Sequence, residues 1–327
     1  MTDSKYVKWG VLGTANIAKG CTIPGMKLVK ECKLWAIAGR SLDKANSFKE
    51  EFGFEKAYGS YEELIADKDV EAIYIPLPND LHFKWVTAAL KAGKHVLCEK
   101  PLALNASQVK EMHQTAKDNN VFLMEAYAYL HSPYIESLRR DLTQGVIGKV
   151  DYIETAFVTQ GYKEDIRLHK ENGGGAMYDL GCYCTTMILS MIDSEPEYVK
   201  AVAEFSDEDV DSMTSAIIKF KNGVRASFNV GMVLGENTNS RYDHLYIHGN
   251  RGAIRSEVEY NQQGPAKYLL YGVTGVDERK INIPQNYSLE ISQMNRCILG
   301  GERPKVSPAF SIKNAELMDE VFKQIGY

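Results

Sequence analysis

Apolar and polar positions follow two different rhythms along this chain. Up to about residue 125, short apolar runs at 7–13, 34–39, 70–75, 95–98 and 121–124 predict strands. Helical stretches separate them. Residues 43–52 have helical composition and stop at Gly53, and 81–92 carry Phe83, Val86 and Leu90 at helical spacing before Gly93. Asn105, followed three residues later by Gln108, predicts a capped helix to about Asn119. Parallel neighbours need a crossover connection, usually a helix, so this alternation predicts a doubly wound α/β domain with a parallel sheet.

Beyond residue 126 the helical spacers thin out. Runs at 150–159, 199–205, 216–220, 225–230, 245–248 and 253–257 read as strands, joined by turn signals such as Lys221-Asn222-Gly223 and Gly249-Asn250-Arg251-Gly252. They predict an open, mostly antiparallel sheet in an α+β domain. Phe310, Leu317, Val321 and Ile325 recur at helical spacing and predict a final amphipathic helix. The expected division is an α/β domain over 1–125 and an α+β domain over 126–327.

Composition narrows the function classes. With 327 residues, 44% of them hydrophobic, the chain can fill two cores. Lys plus Arg number 38 against 43 acidic residues, so no basic excess points to nucleic acid or an anionic membrane. No stretch reaches the roughly 18 apolar residues of a membrane helix. The opening segment, Met1 to Trp9, lacks the apolar core of a signal peptide, and a cytoplasmic location is expected. Six cysteines, at 21, 32, 98, 182, 184 and 297, form no disulfide or metal pattern and read as reduced thiols, with no metal expected.

The candidate chemistry starts where the first strand turns into a helix, Gly10-Val11-Leu12-Gly13-Thr14-Ala15-Asn16-Ile17-Ala18. Gly13, Ala15 and Ala18 fill the positions of G-x-G-x-x-G/A, where small residues let the backbone and the helix N–H groups approach a pyrophosphate. An acidic residue closing the second strand would hold a ribose 2'-hydroxyl. Here the strand runs out as Gly39-Arg40-Ser41-Leu42-Asp43-Lys44, and Arg40, Ser41 and Lys44 suit a 2'-phosphate instead. NADP(H) is therefore expected ahead of NAD(H), with Asp43 one register away as the opposing signal. Lys100, in Glu99-Lys100-Pro101, follows the strand at 95–98 and falls at the carboxyl edge of the sheet, where ligands of such folds bind. Downstream, Gly173-Gly174-Gly175 leads into a helix on which Asp179 and Tyr183 are four residues apart and share a face.

These segments occur in one order along nearly the whole chain: the glycine turn, Pro76-Leu77-Pro78-Asn79-Asp80-Leu81-His82, Glu99-Lys100-Pro101, Met124-Glu125-Ala126, and the glycine run into Asp179-Leu180-Gly181-Cys182-Tyr183. In this the sequence resembles the glucose-fructose oxidoreductase, inositol dehydrogenase and rhizopine-catabolism family, written Gfo/Idh/MocA. The resemblance implies a dinucleotide-binding Rossmann domain over 1–125 followed by an open-sheet, substrate-binding domain over 126–327 that commonly builds an oligomer interface, so a homo-oligomer, dimer or tetramer, is expected. It also implies hydride transfer between a nicotinamide cofactor and a sugar, cyclitol or diol. Carried over by position, Gly13, Thr14, Ala15, Asn16, Ile17, Arg40, Ser41, Lys44, Pro78, Asn79, His82, Glu99 and Lys100 would bind cofactor, with Asn79 and His82 along its nicotinamide half. Lys100, Tyr183 and Asp179 would be catalytic, and the same three with Arg167 would bind substrate. Tyr183 stands where many members have a histidine, as in the glucose-fructose oxidoreductase and dihydrodiol dehydrogenase branches. Leu130 and Ser132, flanking His131, occupy positions where members often carry an arginine and a histidine.

The implied mechanism has Tyr183 exchange a proton with the substrate oxygen. A phenol titrates near 10, so this requires a shift of about 2–3 units, for which the Lys100 ammonium is the available source. His169 and His131 are the competing acids, and Arg167 could equally be a structural ion-pair partner. Two other classes share this scaffold: a glycoside-cleaving enzyme that oxidises its substrate transiently with a tightly held nicotinamide, and a cofactor-binding sensor.

Overall fold

In the computed structural model, residues 6–235, 238–257 and 260–327 are described. The first five residues of the Met1 to Trp9 segment, on which the reading of the chain start rests, lie outside them. The chain divides into two compact units, Met1–His131 with Pro284–Ile312, and Ser132–Ile283 with Lys313–Tyr327.

The first unit holds a parallel sheet of β1 (Val7–Leu12), β2 (Cys32–Ala38), β3 (Lys56–Tyr58), β4 (Ala72–Ile75), β5 (His95–Glu99) and β6 (Leu123–Ala126), in the order β3-β2-β1-β4-β5-β6. This is the Rossmann order, with the reversal beside β1. The apolar run of β4 is buried throughout, as a strand covered on both faces requires. Helical connections are α1 (Ile23–Lys27), preceded by a π-helical turn Ala18–Thr22, then α2 (Leu42–Phe52), α3 (Tyr61–Ala66), α4 (Asn79–Lys91) and α5 (Ala106–Asp118). Asn105 caps α5 by accepting from the Gln108 N–H at 3.0 Å. β3 and α3 were not expected; β3 is three half-buried residues, too short for an alternation to show.

The second unit contains α6 (Pro133–Thr143), α7 (Cys182–Met191) and a sheet of β7 (Val150–Thr159), β8 (Pro196–Phe205), β9 (Asp211–Phe220), β10 (Arg225–Met232), β11 (Arg241–Gly249), β12 (Gly252–Ser256), β13 (Gly264–Gly272) and β14 (Gly275–Ile283). Its order is β14-β13-β12-β11-β7-β10-β9-β8, with β7 and β10 parallel and the other pairs antiparallel. Register separates the two faces. Ile218, Ala226, Ile153, Ile247 and Ile254 are buried on one, while Val202 and Ile217 on the other are 72% and 55% exposed.

The units do not follow the expected division at 125/126. After β14 the chain returns to the first unit as α8 (Asn286–Gly300) before α9 (Pro308–Ile325). The reason is packing: α8 lies against α1, and the buried Trp9 indole N–H on β1 donates to Asn295 Oδ1 of α8 at 2.9 Å.

Candidate functional site

In the first unit the candidate residues gather at the carboxyl ends of β1, β2, β4 and β5. Gly13 leaves β1 with φ +123 and its N–H bonded to the Ala38 carbonyl at 2.8 Å. A Cβ there would sit 2.9 Å from Leu77 Cδ2, in a conformation that side chains rarely adopt. The turn thus needs glycine and leaves its backbone bare, which fits a dinucleotide pyrophosphate. Thr14, Ala15 and Ile17 are half-buried and Asn16 is exposed.

Arg40 and Lys44 are exposed beyond β2, and Ser41 caps α2, its Oγ accepting from the Lys44 N–H at 3.4 Å. Arg40 also lies close enough to Tyr61 to oppose the rise that burial imposes on the phenol. Tyr61 in turn abuts Gly13, its Oη standing 3.9 Å from where a Cβ would be. The strand carries no terminal carboxylate, and Asp43 is exposed in the first turn of α2.

Pro78 and Asn79 open α4, both half-buried. His82, expected along the nicotinamide half of the cofactor, lies in the next turn and is fully buried. Its Nδ1 and Nε2 face the carbonyls of Pro101 and Leu77 at 2.9 and 2.8 Å. Two acceptors favour an imidazolium, yet burial outweighs them and, with the nearby Lys100 charge, holds the ring at about 4. Neutral at physiological pH, His82 donates to one of the two carbonyls and packs between the 77–82 segment and the Lys100–Pro101 turn. That peptide bond is cis.

Glu99 closes β5 and accepts from Tyr74 Oη at 2.5 Å, while Thr22 Oγ1 donates to Tyr74 at 2.9 Å. Lys100 follows, half-buried. In the sequence, Glu125 belongs to the Met124-Glu125-Ala126 segment and carries no assigned role. Its carboxylate, 2% exposed on β6, accepts from the Leu102 N–H at 2.9 Å and from Ser311 Oγ at 2.7 Å. A charged residue in a fully buried strand was the available signal.

In the second unit, the first turn after the glycine run is π-helical, Met177–Gly181, and α7 begins only at Cys182. Such turns recur at functional sites. Asp179 and Tyr183 therefore sit on different kinds of turn, in different surroundings. Asp179 accepts from Arg167 Nε at 2.7 Å, and Arg167 Nη1 donates to Asp165 at 2.9 Å. Asp179 is the main cause that raises the guanidinium above its ordinary value. Of the two expectations for Arg167, this geometry meets the ion pair.

Tyr183 is 8% exposed, with its ring 5.5 Å from Phe157 and 5.1 Å from Tyr260, and its Oη accepts from Asn261 Nδ2 at 3.5 Å. Tyr260 is fixed by a hydroxyl contact to Thr155 at 2.9 Å. The start of the π turn is held by buried Asp211, which accepts from the Met177 N–H at 2.9 Å and Thr214 Oγ1 at 2.7 Å. Burial pushes the Asp211 carboxyl up to about 7. Gly175, at φ +98, lies against that carboxylate with no room for a Cβ. Tyr260, Asn261 and Asp211 were not foreseen, because each depends on strands far apart in sequence.

The rival acids stand in opposite surroundings. His131 is buried with neither ring nitrogen hydrogen-bonded among the described residues, and burial takes it down to about 3. His169 is 54% exposed, 3.8 Å from Glu171. No group of three or more His, Cys, Asp or Glu suited to a metal occurs among the described residues, and no described helix is long and apolar enough to cross a membrane.

Known proteins are similar to this chain over nearly its whole length. The family profile described as an oxidoreductase family with an NAD-binding Rossmann fold matches residues 7–127, and a Gfo/Idh/MocA C-terminal domain profile matches 135–255. A trans-1,2-dihydrobenzene-1,2-diol dehydrogenase of Xenopus tropicalis is 34% identical over 334 residues, covering 98% of each chain. An NADP(+) D-xylose 1-dehydrogenase of Haloferax volcanii is 30% identical, covering 96% of each. The crystal structure of a 3-ketoreductase from Actinomadura kijaniata, in complex with NADP and TDP-benzene, superposes with a TM-score of 0.91 at 28% identity over 98% of both chains. With its Rossmann strand order, its open eight-stranded sheet and these full-length relatives, the chain belongs to the Gfo/Idh/MocA family of NAD-binding oxidoreductases.

Proposed function

We propose that this protein is an NADP(H)-dependent oxidoreductase acting on a hydroxyl or carbonyl of a small sugar-like or diol substrate. One observation carries the reading: a lysine, Lys100, directly follows β5 of a Rossmann sheet in a chain whose full-length relatives reduce or oxidise sugars and diols. NADP is favoured because Arg40 extends from the end of β2, where no carboxylate stands to meet a ribose hydroxyl. A bound nicotinamide supplies or accepts the hydride. The remaining work falls to the chain. Lys100 carries positive charge to the oxygen that becomes an alkoxide, Tyr183 exchanges a proton with that oxygen, and Asp179 with Arg167 orients the substrate hydroxyls. Phe157 and Tyr260 keep water from the phenol.

The protein acts in the cytoplasm as a homodimer built on the open face of the second sheet. Tyr198, Val202, Ile217, Tyr242 and Val276 are all more than a third exposed on that face, an apolar surface suited to a second copy.

A panel of aldoses, ketoses, anhydro-sugars, cyclitols and diols, assayed by absorbance of the reduced nicotinamide, tests the reading. Net turnover with NADP(H), faster than with NAD(H), is expected. Cofactor binding without turnover across the panel would leave a sensor, and glycoside cleavage without net turnover would establish the redox-assisted hydrolase.

A further inference from the structure

Beneath Lys100 lies a carboxylate that the reaction itself does not call for. β5 and β6 are parallel neighbours with Cys98 opposite Glu125 and Glu99 opposite Ala126, so the Glu125 side chain rises beside the strand that delivers Lys100. Its Oε1 accepts the Leu102 N–H at 2.9 Å and its Oε2 accepts Ser311 Oγ at 2.7 Å, while the Tyr127 hydroxyl adds a third donor. A neutral Gln would satisfy the same N–H without burying a charge, which is costly without a partner. We infer that Glu125 is a positioning residue for Lys100: its buried carboxylate fixes the Lys100–Pro101–Leu102 turn through the Leu102 N–H and sets a negative charge against the Lys100 ammonium. This rests on Lys100 acting in catalysis.

The titratable groups around Glu125 are Lys100, Tyr127 and Cys98. Burial pushes the carboxyl up to about 7, against the pull of its donors and of Lys100. The folded protein therefore holds this proton more tightly than the unfolded chain, and stability falls as pH rises from about 4.5 to about 7. The carboxylate that positions Lys100 forms around pH 7, at the top of that range.

The test is Glu125→Gln in the full-length enzyme, alongside Lys100→Ala and the double variant. Positioning predicts kcat lower by about 10- to 100-fold, NADPH affinity nearly unchanged, loss of the acid limb of the kcat profile, and melting at pH of about 8 no lower than wild type. The double variant should be no slower than Lys100→Ala alone. Ser311→Ala removes one donor to the carboxylate and should move the acid limb to higher pH; it decides the question if Glu125→Gln does not fold. An unaltered kcat and pH profile in Glu125→Gln, or an unmoved limb in Ser311→Ala, while Lys100→Ala is impaired, would overturn the positioning role alone. Wild-type turnover in Lys100→Ala would overturn the role of Lys100, and the inference with it.

Discussion

Tyr183 and Lys100 are assigned tasks that need different chemistry, one a transferable proton and the other a fixed positive charge. Tyr183→Phe keeps the ring that packs on Phe157 and Tyr260 and removes only the hydroxyl that meets Asn261. As proton donor it should lose about 10²- to 10⁴-fold in rate and its tyrosine-linked pH limb, with little change in NADPH binding. Near-normal turnover would remove tyrosine from the chemistry. At this scale the sequence was informative where a motif demands one residue type. Gly13 was legible because only a residue without Cβ tolerates its φ and the approach of Leu77. The surroundings of His82 were not, because a histidine buried against two carbonyls and an exposed one look alike in sequence.

Among elements, the π turn that carries Asp179 leads directly into α7 with Tyr183, and its start depends on Gly175 and Asp211. Gly175→Ala would put a Cβ against the Asp211 carboxylate at positive φ, a change expected to destabilise by about 1–3 kcal/mol. It should also reduce activity in the fraction that folds. A thermal melt against wild type checks the first effect, and an unchanged melting temperature would mean that the turn relaxes freely. Elements with strong periodicity or sharp turn residues were read well, such as α4 closed near Gly93 and the hairpin at Lys221-Asn222-Gly223 joining β9 to β10. β14 escaped because Asp277-Glu278-Arg279-Lys280 sets four charged residues in a row, so no apolar and polar alternation shows. α8 was missed because its buried face includes Asn286, Glu290, Gln293 and Asn295, which mask the apolar stripe.

For the whole molecule, the order of the two sheets was legible from the change in rhythm near residue 126. The return of α8 to the first unit was not, since tertiary packing on α1 decides it. The proposed dimer predicts that wild-type protein sediments at twice the chain mass of 36.7 kDa, and that Val202→Glu with Ile217→Glu yields monomers with an intact fold. A wild-type monomer at micromolar concentration would exclude that interface. Direct hydride transfer to a carbonyl is the central claim, and deuterium labelling tests it most directly. With the substrate found in the panel, reduction by NADPH deuterated at the transferable C4 position should leave one deuterium on the carbinol carbon of the product, matched by one NADP+ formed. A product without deuterium, or product formed with no net oxidation of cofactor, would contradict it.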